Sequence, residues 1–287
     1  GARGCRAVGD AAELRRAVAE ALRHSRSGKA IVEEYVEGPE FSIDAVVVDG
    51  DIRIRGLADR HIAFAPYFVE LGHTMPTAYP PEVAREVLRV FEAGVRAIGI
   101  SRGAAKGDIK YSPARGTAVV GEIAARLSGG YMSGWTYPYA SGIEVTREAL
   151  EIAVGLVPAA PAPDRGWVSA ERAFVSIPGR LASLLGTREA ERTPYVKELF
   201  YRAAPGDRLV FPSNNVEKFG NVLTQAPDRE RAVEAAMSAV RAVLPRLAPR
   251  DEATEAFLRG DWPEAGHVDA GPGGTVWPPA AFSPTGE

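Results

Sequence analysis

The chain has 287 residues, 46% hydrophobic and 25% charged, which is enough apolar material for one large core or two smaller ones. Lys+Arg 34 against Asp+Glu 37 gives a net charge of −3 with no basic block, so neither nucleic acid nor an anionic membrane is an expected partner. One cysteine, Cys5, excludes an internal disulfide framework, and no apolar run approaches the ~20 residues of a bilayer span, so a reducing, cytoplasmic setting is expected.

The first phrase, GARGC (1–5), is a glycine-rich loop with an arginine, chemically suited to covering phosphates. Such a loop normally follows a strand, and the chain opens on Gly1 without Met, so further sequence is expected upstream. Asp10 and Glu13 have capping-box spacing, and Leu14, Val18 and Leu22 then mark one face of a helix that Ser25–Gly28 stops. Residues 30–36 and 41–49 are predicted strands, and the Asp49-Gly50 turn sends 51–57 back as a hairpin partner. Residues 80–98 form a second amphipathic helix with Pro81 in its first turn. Two strands follow, about 104–111 and 117–125, joined by the Ser112–Gly116 turn, and then a helix over 144–155.

VPAAPAP (157–163) has the composition of a linker. Beyond it, strands are predicted at 167–177, 195–203, 208–211 and 220–224, a helix at 228–244, and an irregular tail over 250–287. Adjacent hairpins and helices that do not alternate strictly with strands indicate α+β rather than a doubly wound parallel sheet.

Four groups carry chemistry. Asp108 and Glu122 flank one hairpin turn among Ile109, Val119, Val120 and Ile123. Like charges facing each other in a sheet repel unless a cation lies between them, and hard oxygen ligands of this kind suit Mg²⁺. Arg126 with Ser128, Gly129 and Gly130 offers a guanidinium and backbone N–H groups to a phosphate or carboxylate. In IVEEYVEGPEFSID (31–44), Glu33 suits an exocyclic amine and Glu40 a pair of vicinal hydroxyls. GARGC is the fourth. Taken singly, each also fits a blander role: solvated acids on an exposed hairpin, a surface arginine before a loop, an exposed acidic strand. His61 and His73 have no carboxylate or cysteine at metal spacing and are read as loop residues near a pocket.

In this order, the groups resemble the ATP-grasp superfamily over about residues 1–245. GARGC is similar to its flexible phosphate-covering loop, EEYVEGPEFSID to its adenine hinge, and DIKY…VVGEIAARLSGG to its paired-strand magnesium motif. FVELGHTMP (68–76), IPGRL (177–181) and KFGNVLTQ (218–225) resemble the carboxylate–amine, L-amino-acid ligase branch. The resemblance implies an ATP-grasp fold lacking its N-terminal domain. Its parts would be the small-subdomain remainder (1–47), the large subdomain with the metal site (48–163), a C-terminal α+β subdomain (164–249) and the tail (250–287).

Carried over residue by residue, it implies that Gly1, Arg3 and Gly4 cover the phosphates. Glu33 takes the adenine amine, the main chain of Glu34 and Val36 reads the ring edge, and Glu40 holds the ribose. Asp108 and Glu122 hold Mg²⁺, with Mn²⁺ as a substitute; Arg126 steadies the γ-phosphate or acylphosphate, and Ser128, Gly129 and Gly130 contact the carboxylate substrate. The implied partners are a small carboxylate and an amine, with a homodimer left open. Where many superfamily members have an asparagine two residues after the second acid, this chain has Ala124. The family's upstream domain and its phosphate-binding lysine are absent, so this chain alone is expected to be inactive as a ligase. An ATP-dependent carboxylase or formate-using ligase on the same scaffold, or a non-catalytic nucleotide-binding fragment, are the alternatives.

Overall fold

A computed structural model describes residues 1–159 and 166–260. Helix α1 (Ala11–His24) starts where the capping box puts it: Asp10 accepts from the N–H groups of Ala12 and Glu13, each at 2.8 Å. The segment from 30 to 38 is irregular, with Ile31, Val32 and Tyr35 exposed. The strand predicted at 30–36 does not form. A β-prone sequence becomes a strand only where a neighbour takes its backbone groups, and none of the described residues pairs with it.

Strands β1 (Glu40–Val48) and β2 (Asp51–Ala63) form the expected hairpin; Asp49 (φ 53°) and Gly50 (φ 85°) take the left-handed conformations that a two-residue turn requires. β3 (Val69–Met75) and helix α2 (Pro81–Ala97) follow, then β4 (Gly103–Ser112) and β5 (Thr117–Ala124). A π-helical turn, Met132–Thr136, runs into α3 (Tyr137–Ser141) and α4 (Val145–Ala153). The second half holds β6 (Val168–Phe174), β7 (Gly179–Leu185), α5 (Thr187–Arg192), β8 (Val196–Tyr201), β9 (Arg208–Leu209), β10 (Gly220–Ala226), α6 (Arg229–Ala242), β11 (Leu244–Leu247) and α7 (Glu252–Arg259). Helix α7 corrects the reading of 250–287 as wholly irregular: Asp251 caps it, accepting from the N–H groups of Ala253 and Thr254. The rest of that tail, and residues 160–163 of the linker, lie outside the described residues.

Among the described residues, eight strands make one sheet in the order β5-β4-β1-β2-β3-β6-β10-β8, and β11-β7-β9 make a second; every pairing between them is antiparallel, as the α+β expectation requires. The 47/48 division falls inside the β1–β2 hairpin, and β3 pairs with β6 across the 163/164 division, so neither expected boundary breaks the large sheet. Helix α2 buries Val87, Phe91 and Val95 against Phe41, Ile43, Ala105 and Ile109, while α6 buries Ala232, Ala236 and Ala239 with Val222 and Phe174. A third cluster seats Tyr137, fully buried, with Val46, Ala58 and Met132.

Gly56 on β2 is what lets that tyrosine approach the sheet: a Cβ there would lie 2.1 Å from the Tyr137 ring. Gly56→Ala therefore overpacks the core and should destabilise the chain by about 1–3 kcal/mol. The expected readout is a lower denaturant midpoint at unchanged slope.

Candidate active site

Residue pairing in the sheet brings the two predicted acids together. Asp108 on β4 and Glu122 on β5 are direct register partners. The Lys106 ammonium hydrogen-bonds Asp108 and stands 3.8 Å from Glu122, so a cation does lie between the carboxylates. Asp108 also accepts from the Ser42 hydroxyl at 2.9 Å, and Glu122, 54% exposed at its side chain, meets Arg126 at 3.3 Å.

Beside this pair lies a lattice of alternating charge. Arg60 on β2 donates to Glu70 at 3.0 Å and Glu40 at 3.1 Å, and lies 3.4 Å from Asp108. Burial works to lower the Arg60 pKa, but the three carboxylates outweigh it and raise it above its usual value. Lys110 reaches Glu40 at 3.2 Å, and Lys218 donates to the Glu70 carbonyl at 2.8 Å. His73 Nδ1 is 2.7 Å from the fully buried Glu171 carboxylate, and its Nε2 is 3.4 Å from the Ser42 hydroxyl. Asn221 donates to Glu171 at 2.7 Å and accepts from Arg202 at 2.5 Å. A continuous polar line thus crosses the sheet from β4 to the end of β8.

Above it opens a cleft of about 940 Å³. Of the residues singled out from sequence, Gly1, Glu33, Glu40, Asp108, Glu122, Arg126, Ser128, Gly129 and Gly130 line it. Arg3, Gly4, Glu34 and Val36 do not. Gly4 packs against Ala21 of α1, and the exposed Glu34 carboxylate pairs with Arg115. The loop is pinned to the far side of the cleft by Asn215, whose N–H donates to the Gly1 carbonyl at 3.0 Å.

Sequence reasoning missed Arg60, Glu70, Lys106, Arg202 and Lys218, all of which line the cleft. Their signal was faint: Lys106 stands two residues before Asp108, and Glu70 and Lys218 fall in the phrases at 68–76 and 218–225. The two histidines are corrected from loop to strand. His73 is a 1%-exposed residue of β3, and His61 on β2 lies 2.9 Å from the Thr74 hydroxyl. Strand alternation places them where sequence spacing to other ligands could not. On the cleft's outer wall, Tyr131 stacks on Phe200 with centroids 4.3 Å apart, and Trp135 meets both edge-on.

The family model for the ATP-grasp domain matches residues 5–134. This chain carries an ATP-grasp domain. Downstream of it, residues 172–248 match L-amino acid ligase C-terminal domain 2. The chain is 27% identical to mouse carnosine synthase 1 over 201 residues, which is 69% of this chain and 24% of that protein. Among solved structures, L-amino acid ligase from Bacillus licheniformis superposes with a TM-score of 0.76 at 20% identity, over 85% of this chain and 62% of that one. The β,γ-ATP complex of biotin carboxylase from Campylobacter jejuni superposes at 0.62 and 17% identity, over 86% and 56%. These structural likenesses fix the fold, and the chain spans only part of each relative.

Glu70 gives the ATP-grasp domain an acid-sensitive joint. Burial alone would raise its carboxyl, but His73, Arg60 and Lys218 hold it below its ordinary 4.5. A depressed carboxyl contributes stability that is present above its unfolded value and is lost as pH falls through the folded one. Wild type should therefore lose stability below pH 4.5 more steeply than Glu70→Gln, as measured by urea unfolding across that window. Parallel pH profiles would remove Glu70 from this role.

Proposed function

We propose that this chain is the ATP-binding and ligating part of a carboxylate–amine ligase that activates its acid as an acylphosphate and passes it to an amine. The observation that carries the reading is the facing of Asp108 and Glu122 in one cleft with Arg126 and the Ser128–Gly130 turn. The ATP-grasp domain supports ATP as the phosphoryl donor, and the downstream match to an L-amino acid ligase domain favours a ligase over a carboxylase.

The acidic pair suits Mg²⁺. Two hard carboxylates face each other with the Lys106 cation between them, and Mg²⁺ commonly takes one or two carboxylates and fills its other positions with phosphate oxygens and water. Asp108 and Glu122 would hold it, and it would supply charge neutralisation at the phosphates.

The remaining work is positioning and electrostatics. Glu33 and Glu40 orient the nucleoside, the latter held by Arg60 and Lys110. Arg126 and the glycine turn place the acid, whose oxygen bonds to the γ-phosphorus as the β–γ bridging P–O bond breaks and ADP departs. The amine nitrogen then bonds to the acyl carbon, the C–O bond to phosphate breaks, and the nitrogen releases a proton. Arg60, Lys106, Arg126 and Lys218 line the cleft and offset the anionic charge that builds during both steps.

The test is ADP release by the complete gene product over panels of acids and amines. Release that depends on both, with amide formed, is expected. In that protein Glu122→Gln should abolish Mg²⁺-dependent turnover while the circular dichroism spectrum is kept; activity within a few-fold of wild type would take Glu122 out of the metal site. Glu33→Ala should raise KM for ATP more than it lowers kcat, because an adenine contact is equal in ground and transition states. Equal use of GTP and ATP by wild type would remove Glu33 from adenine recognition.

A further inference from the structure

One buried carboxylate behind the cleft-lining turn at Ser128 has no part in the reaction just described. Asp44, on β1, is 0% exposed. Its Oδ1 accepts from the Ser128 N–H at 3.1 Å and the Ser128 hydroxyl at 2.6 Å, and its Oδ2 accepts from the Ser133 hydroxyl. Among the described residues no cation stands at ion-pair distance from it. Burial pushes its carboxyl above the usual range, and those three donors, with the more distant Lys106 charge on the neighbouring strand, pull against that. A buried carboxylate without an ion-pair partner is costly, so packing alone would favour an apolar side chain here.

Strand geometry explains where it sits. Glu40, Ser42 and Asp44 are successive alternate residues of β1 and share one face. Opposite them in register on β4 stand Lys110, Asp108 and Lys106. Each β1 residue serves a different part of the cleft. Glu40 engages Arg60 and Lys110, Ser42 donates to Asp108, and Asp44 ties down the turn that carries Ser128, Gly129 and Gly130.

We propose that Asp44 is a positioning residue that anchors the Ser128–Gly130 turn to β1, so that one strand fixes the spacing between the nucleotide, the acidic pair and the acid substrate. This deepens the ligase reading and rests on it. The turn needs such a tether. Gly129 and Gly130 are the freest backbone in the segment, and Tyr131 already holds a left-handed φ of 66°. An untethered turn would sample geometries in which the acid is not aligned with the γ-phosphate, and small misplacements of a reactant are expensive in rate.

Two readouts test this in the complete gene product. In Asp44→Ala, amide hydrogen exchange should speed up in the peptide covering 126–134 and stay unchanged in β10. The kcat for acid-dependent ADP release should fall by about tenfold or more, while KM for ATP stays near wild type. Asp44→Asn should recover most of the rate. Its Oδ1 still accepts from Ser128, and its Nδ2 can donate to Ser133, whose own hydrogen turns to the Ser128 carbonyl 3.1 Å away. If Asp44→Ala does not fold, Ser133→Ala removes one arm of the tether and should show the same pattern more weakly. Unchanged exchange in 126–134 overturns the anchor. Faster exchange with unaltered turnover, or an Asp44→Asn variant as slow as Asp44→Ala, overturns the positioning role. Wild-type protein with no acid-dependent ADP release would sink the ligase reading instead, and the exchange result would still decide the anchor.

Discussion

One rung of the β4–β5 ladder sets the terms for everything around it. Pairing Asp108 with Glu122 puts two like charges side by side at the edge of an apolar sheet, which a fold tolerates only with cations at hand. The surrounding residues meet that demand. Lys106 bridges the acids, Arg60 approaches Asp108 from β2, and Arg126 meets Glu122 from the strand end. Shifting the register by one residue would turn Asp108 to the opposite face and dissolve the arrangement. Antiparallel pairing and site chemistry are thus one constraint here.

From that rung the polar groups spread along the sheet rather than through loops. Ser42, His73, Glu171, Asn221 and Arg202 are joined across five strands or strand ends by hydrogen bonds, nearly all below the surface. Such a network in a low-dielectric setting holds its members in fixed orientations, because breaking any link strands a buried polar group. It also ties the two halves of the chain together, since His73 and Glu171 come from β3 and β6, the strands that join the ATP-grasp domain to the segment matching the ligase C-terminal domain. The loops are then left to cover and to admit substrate.

Local chemistry explains which elements were legible in advance. The α1 capping box, the Asp49-Gly50 turn, the Pro81 start of α2 and the Ser112–Gly116 turn between β4 and β5 all follow from forces within a few residues. Each was found near its place. The Met132–Ser141 segment escaped notice because its helices are short, contain Gly134 and Pro138, and are held by Tyr137 buried against Gly56 of a distant strand. Residues 30–36 misled in the opposite direction. Their composition favours a strand, but a strand exists only with a partner, and composition cannot supply one.

The sequence by itself determined the class of the fold, the acidic hairpin with its arginine and glycine turn, and, through resemblance, the ATP-grasp character of the first half. Those signals are local in the chain, so order and spacing carry them. Tertiary structure alone decided that Arg60, Glu70, His73, Lys106, Arg202 and Lys218 share the cleft, and that Arg3, Gly4, Glu34 and Val36 do not line it. It also decided that Asp44 reaches a turn 84 residues away. Neighbours in an antiparallel sheet are set by register between strands far apart in sequence, and no periodicity within one strand records which strand will lie beside it.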